Sequence, residues 1–341
     1  MSVTNVSELP SADELSLLRE SVRATLESLP GQVSDDGWSA SWPLTWNALT
    51  AQGFWSTTEP PDGSLTAGVV IAEELGRALY PGPSCEVLTA ASVLSRITGE
   101  HTMITQGVRE APLMFFATED SLAPIDSAVI RLDPMVQAED RAALVVATAR
   151  DEIVVLSSLP EPSSAQPTLD VTRRTVEVSL DRAALPTVGP ADPATASYGR
   201  TARALLYCAD TLGAVEQVLA RTAEYAKQRS TFGAPIGKYQ AVAHRLVDHA
   251  VTARQMRLLL NAAVTAYDQN DPSAAHLAAT AETFYWARSV DLVSDCIQLC
   301  GGIGFTWEFG HHFYLRRVAH NATLGAGRGR PARRLAEVAK W

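Results

Sequence analysis

The sequence predicts a mainly helical protein with a central β domain, and a change of period along the chain is what predicts it. Apolar residues recur at helical spacing from Ala12 to about Gly99, gather into short β-prone runs from about Ala111 to Asp181, and return to long helical rhythms after "VGPADPATAS". On that basis the 341 residues divide into an N-terminal helical domain (1–105), a reduced, barrel-like β domain (106–190) and a C-terminal antiparallel four-helix bundle (191–341).

In the first region "LPGQVSDDGW", "TTEPPDGS" and "YPGPS" read as loops, the second of them as a surface turn, and "AGVVIAEELGRALY" as an amphipathic helix closed by Pro81 and Gly82. In the second, "PLMFFA", "ALVVAT", "EIVVLS" and "RRTVEVSL" read as strands separated by turn-rich pieces such as "LPEPSSAQP". Val176, Val178 and Leu180 alternate with polar neighbours, as on a strand with one buried face. In the third, Leu205, Ala209, Leu212, Leu219, Ala223 and Ala226 step by three, four or seven. Leu246, Ala250, Ala253, Leu260, Val264 and Tyr267 repeat the rhythm, and Val290, Val293, Ile297 and Cys300 continue it.

The bulk properties narrow the function classes. With 46% apolar and 19% charged residues the chain holds enough material for a large core. A formal net charge of -10 opposes attraction to nucleic acid or an anionic membrane surface. No apolar run approaches the roughly 20 residues that span a bilayer, and "MSVTNVSELPSADEL" has no secretory character. Cys85, Cys208, Cys296 and Cys300 are too few and scattered for a disulfide framework, so a reducing cytoplasm and buried, inert thiols are expected. No metal-ligand spacing is complete.

Two loops carry chemistry. In "KQRSTFGAPIGKYQAVAHRL" Arg229 follows a helix, Phe232 and Gly233 make a turn with an exposed aromatic, and Gln240 opens the next helix. A guanidinium fork beside the unpaired N–H groups of a helix start suits phosphate oxygens. In "QLCGGIGFTWE" Gln298 stands one turn before the paired glycines Gly301 and Gly302, which let a ligand approach the backbone. The later "LGAGRGR" lacks a preceding strand, so it fails as a dinucleotide fingerprint.

With "AEELGRALYPGPS", "RSTFGAPIGKYQAVAHRL", "QLCGGIGFTWEFGHHFYLRR" and "PTLDVTRRTVEVSLD", the chain resembles the acyl-CoA dehydrogenase family from about Ser11 to Arg334. The resemblance implies an acyl-CoA dehydrogenase-like fold and FAD as cofactor. By matched position, Arg229, Thr231, Phe232 and Gln240 from the first loop and Gln298, Gly301 and Gly302 from the second would touch the adenosine pyrophosphate of a neighbouring subunit's FAD. It also implies an acyl-CoA substrate and an electron-transfer flavoprotein as acceptor.

The departures from the family pattern matter as much. Where active members carry a segment like "TEPGAGSD" for the flavin ring, this chain has "FFATEDSLAP". The family's catalytic glutamate maps onto Gly325, and the alternative base position on the first bundle helix maps onto Arg203, so no catalytic residue is expected. Together these imply the shortened, base-lacking subunit of an α2β2 assembly of the sterol side-chain type, whose longer partner carries the glutamate. Two rivals stay open: a self-sufficient flavoenzyme using another base or other chemistry, and a flavin-free helical scaffold. The remaining polar residues take structural readings. His311 and His312 are partly exposed or structural, His244 belongs to the loop helix, Arg316 and Arg317 form ion pairs within the bundle, and Glu308 is structural. Arg328, Arg330, Arg333 and Arg334 are solvated.

Overall fold

A computed structural model describes residues 9–29, 42–59, 63–94, six strands between 113 and 181 with the turn 169–173, 193–325 and 335–336. The two boundaries expected near 105 and 190 lie outside the described residues, as do the four C-terminal arginines.

Helix α1 (Ala12–Glu27) begins with a reciprocal capping box between Ser11 and Glu14. Helices α2 (Trp42–Ala51), α3 (Leu65–Arg77) and α4 (Ser84–Leu94) follow it among the described residues of the N-terminal region. The segment expected as a surface turn at 57–64 is instead partly buried where described. Thr58 lies inside and donates to the Leu88 carbonyl, and Ser64 caps α3. Helix α3, which reads as amphipathic, is buried all round from Ala67 to Gly76. Its polar face is covered by guanidinium groups: Arg19 and Arg23 of α1 bond Glu73 and Glu74.

Among the described residues the β region holds six strands in two three-stranded sheets. β1 (Leu113–Thr118) runs parallel to β3 (Ala142–Ala147), which pairs antiparallel with β4 (Ile153–Leu156). β2 (Ser127–Leu132) and β5 (Ser164–Gln166) flank β6 (Thr175–Asp181), both antiparallel. Four of the six match the expected runs. The other two both pair with β6: β2, which carries Val129 and Ile130, and the short β5 inside "LPEPSSAQP", whose composition alone does not make a strand. No ladder joins the two sheets among the described residues.

The bundle consists of α5 (Pro193–Gln228), α6 (Gln240–Asp268), α7 (Ala274–Cys300) and α8 (His311–Gly325). Helix α5, 36 residues long, is its axis, and Leu205, Leu206, Tyr207, Cys208, Ala209 and Leu212 are fully buried. It meets α3 backbone to backbone: a Cβ on Gly213 would stand 1.8 Å from the Glu73 carbonyl oxygen, and one on Gly76 2.1 Å from that of Asp210. Asp268, at the end of α6, accepts from the N–H groups of Leu65 and Thr66 and so caps α3 from another element. The rhythm read for α6 holds only in its second half, where Leu260, Val264 and Tyr267 are buried. Leu246 is half-buried and Ala250 exposed, and Val247, Val251 and Leu258 face outward.

Candidate functional site

The first loop is built by α5 running out at Gln228. The strands β7 (Ser230–Thr231) and β8 (Ala234–Pro235) pair across a two-residue turn. Both turn residues have positive φ, 50° at Phe232 and 80° at Gly233. Such turns favour Asn and Gly, and a side chain there costs roughly 1–2 kcal/mol. Phe232 nonetheless sits there, 99% exposed. The Ile236 N–H donates to the Arg229 carbonyl, and the Tyr239 hydroxyl donates to that of Thr231 at 2.8 Å, which fixes the hairpin against the start of α6. No side chain caps α6, and its first residue, Gln240, is exposed.

The second loop follows α7. Gly301 adopts φ 68°, ψ -146°, a conformation essentially closed to other residues. Gly301 and Gly302 are exposed, with no atom within 4 Å of an added Cβ. Ile303, Phe305 and Trp307, which follow them in the loop, are exposed. The antiparallel run of α6 and α7 brings both loops to one end of the bundle. Arg245 in the second turn of α6 is paired with Asp295 of α7 (Nε to Oδ2, 2.9 Å), and His249 meets the same carboxylate at 2.6 Å. Burial raises the Asp295 carboxyl, but the bonds from Arg245 and His249 outweigh it and hold it below the usual range. Arg229, Phe232, Gln240, Gln298, Gly301 and Gly302 are thus all exposed at this end, with Thr231 half-buried. A guanidinium, an uncapped helix start and accessible glycine backbone form a donor set that fits a pyrophosphate.

The other end of α5 is different in character. Arg203 is 8% exposed and lies over the Tyr207 ring, 4.8 Å from its centroid. Its Nη1 donates to the Leu324 carbonyl at 2.8 Å, one residue before Gly325. The Tyr207 hydroxyl donates to buried Glu86. Deeper in, Arg317 is fully buried and donates to Asp170 (2.5 Å) and Asp210 (3.2 Å); Arg173 and Asn321 also reach Asp210. Ion pairing was expected of Arg317, but not its partner Asp170 in the turn between β5 and β6. Tyr207, Glu86, Asp170 and Asp210 carry no sequence signal, since each gains its meaning from a residue far away in the chain.

His311 is fully buried rather than partly exposed: burial pushes it down to about 4, and its Nε2 meets Thr222 Oγ1 at 3.1 Å. All four cysteines are buried free thiols. Burial raises each of them, Cys296 to about 12, as expected of inert side chains. Among the described residues no cluster of three potential ligands could hold a metal ion, and no helix is long and apolar enough to cross a membrane. Most of "FFATEDSLAP" lies outside the described residues.

The fold is that of the acyl-CoA dehydrogenases. The chain superposes on one chain of the ChsE4-ChsE5 complex from Mycobacterium tuberculosis with a TM-score of 0.77 at 20% identity, covering 98% of this chain and 99% of that one. It superposes on the Tcur3481-Tcur3483 steroid ACAD (G363A variant) with a TM-score of 0.75 at 21% identity, covering 96% and 98%. Residues 198–334 match the family model for the acyl-CoA dehydrogenase C-terminal domain. The acyl-CoA dehydrogenase IpdE2 of Mycobacterium tuberculosis (strain ATCC 25618 / H37Rv) is 30% identical over 329 residues, 92% of this chain and 93% of that protein. The chain belongs to the acyl-CoA dehydrogenase family, oxidoreductases acting on CH–CH bonds.

Proposed function

We propose that this chain is the base-lacking subunit of a heteromeric FAD-dependent acyl-CoA dehydrogenase. In this reading the assembly oxidises an acyl-CoA thioester to the 2,3-enoyl-CoA, and a longer partner subunit in an α2β2 complex carries the glutamate base. The observation that carries the proposal is the separation of two features along one helix. Arg203, at the position matched to a base, and Gln228, where the first loop starts, lie 25 residues apart on α5, about 38 Å at 1.5 Å per residue. A flavin reacting near Arg203 is out of reach of Arg229 and Gly301, so donors exposed at the far end are best suited to a neighbour's cofactor.

Bound FAD would take hydride from the β carbon of the acyl group. The contribution of this chain is binding. Arg229 supplies charge and a bidentate fork to the pyrophosphate, the start of α6 at Gln240 adds N–H donors, and Gly301 and Gly302 admit the backbone. Phe232, held at positive φ, presents an apolar knob beside them, with Thr231 and Gln298 flanking. The exposed apolar side chains Ile303, Phe305 and Trp307 support burial of this end against another subunit. At the matched base position the guanidinium of Arg203 cannot accept a proton, which supports silence of this half. The two-protein complex ChsE4-ChsE5 and the steroid ACAD Tcur3481-Tcur3483 support the heteromeric assembly and a steroid-derived acyl group. An electron-transfer flavoprotein is the proposed acceptor.

The test is expression alone and then with the acyl-CoA dehydrogenase chain encoded beside it, followed by flavin absorbance, native mass and oxidation of an acyl-CoA with a dye acceptor. Flavin and activity are expected only in the joint preparation. A lone chain that is yellow, homo-oligomeric and active would overturn the proposal.

A further inference from the structure

Both ends of the 300–311 segment are fastened to a single turn of α5. At its start, Cys300 Sγ lies 3.9 Å from Thr222 Oγ1. At its end, His311 Nε2 lies 3.1 Å from the same oxygen. The Thr222 hydroxyl also lies within hydrogen-bond distance of the Val218 carbonyl, at 2.8 Å, so one oxygen on α5 joins its own helix to both ends of the segment. One residue earlier, the Arg221 guanidinium donates to the Phe309 carbonyl at 2.5 Å and lies 5.4 Å from that ring's centroid. Tyr225 meets the other side of the contact, its ring edge-on to Phe309 at 5.5 Å. Phe309 in turn packs on His311 at 4.3 Å.

We infer that Arg221 and Thr222 are positioning residues that hold the glycine loop in register with the arginine loop. The inference rests on the proposed cofactor role of those loops. Without the clasp, Gly301 and Gly302 have no packing of their own, since nothing approaches their Cβ positions. With it, the glycine loop is tied to residues 221–222, and Arg229 leaves the same helix seven residues later, about 10 Å along the axis. One rigid helix therefore sets the spacing between the two sets of pyrophosphate donors. The neutral, buried imidazole suits this role, because a charge there would need solvent that the packing excludes. Neither residue reaches the exposed face where a ligand would sit, since Thr222 is buried and Arg221 points its fork at a backbone carbonyl.

The experiment uses Thr222→Val, which keeps the shape and deletes the hydroxyl, Arg221→Ala, and the rescue variant Thr222→Ser, each as the full chain. Amide exchange is read across 301–310, and FAD affinity is titrated in the complex with the partner subunit at a temperature where every variant is folded. Exchange in 301–310 is expected to rise with Thr222→Val and Arg221→Ala, FAD affinity to fall about tenfold, equivalent to ~1.4 kcal/mol, and Thr222→Ser to restore both. Unchanged exchange, or faster exchange with unchanged FAD affinity while Arg229→Ala weakens FAD, overturns the positioning role alone. If Arg229→Ala also leaves FAD affinity unchanged, the cofactor reading falls and takes this inference with it.

Discussion

Arg203 and Leu324, 121 residues apart in the chain, are joined by a 2.8 Å hydrogen bond from guanidinium to carbonyl. The bond brings together the two places where the family pattern allows a base, the first bundle helix and the residue after Leu324, and puts a cation between them. It also secures the end of α8, whose last carbonyls have no helical partners. Arg203→Ala removes that donor and the stacking on Tyr207, and a loss of about 1–3 kcal/mol is expected. Urea unfolding of the full chain checks it. Arg203→Lys should recover only part, because an ammonium cannot stack and donate in the same geometry.

Asp210 is a shared carboxylate of the interior, bonded by Arg173, Arg317 and Asn321 with 1% of its surface exposed. Asp210→Ala leaves two buried guanidinium groups without this counter-ion, and such breaks cost about 3–5 kcal/mol. Failure to accumulate as soluble protein, or a midpoint far below wild type in denaturant, is the expected result. A loss under 1 kcal/mol would show that Asp170 alone neutralises both arginines.

How much of this could be read from the sequence depends on how local each signal is. Leu205, Ala209 and Leu212 announce their helix because they share one face of it, and Arg229, Gly233 and Gly301 announce loops because guanidinium and glycine chemistry is special at single positions. Asp170 with Arg317 could not be read, since 147 residues separate them and only the fold brings them together. The same holds for β5, three residues of polar composition that become a strand only against β6. Ala250 shows the opposite case: its spacing is helical and apolar, yet it is exposed among the described residues, because periodicity reports a helix but not which of its faces is covered.

Phe232 keeps a left-handed backbone that Asn adopts more easily. Phe232→Asn is therefore expected to stabilise the isolated chain by up to ~1 kcal/mol while weakening its complex with the partner subunit. Thermal unfolding of the chain alone and sedimentation of the mixture read the two effects separately. If the variant neither stabilises nor weakens assembly, the strain at Phe232 has no functional return.

Gly301 and Gly302 separate conformation from access. At Gly301 an added methyl meets no atom but the backbone is strained, so Gly301→Ala should cost roughly 1–3 kcal/mol. At Gly302 φ is not positive and the space is open, so Gly302→Ala should be nearly neutral in stability. Both should lower FAD retention in the complex, because a methyl at either site stands where a ligand must meet the backbone. Normal flavin content in Gly302→Ala would remove this loop from the cofactor site.

Acid stability follows from two buried imidazoles. Burial lowers both His311 and His320 to about 4, from an ordinary value near 6.5. Each is neutral in the folded chain, whereas the unfolded chain binds a proton below about pH 6.5. The sign is therefore fixed: their contribution is complete above pH 6.5, declines as pH falls, and is gone below about pH 4. Each accounts for at most ~3 kcal/mol across that window. The carboxyls of Asp170 and Asp295, held below the usual range, add their loss only at lower pH. Urea midpoints measured between pH 7.5 and 4.5 should fall steadily. His311→Gln, which keeps a donor for Thr222 but does not titrate, should flatten that slope by about half, and an unchanged slope would mean that His311 is protonated in the folded chain.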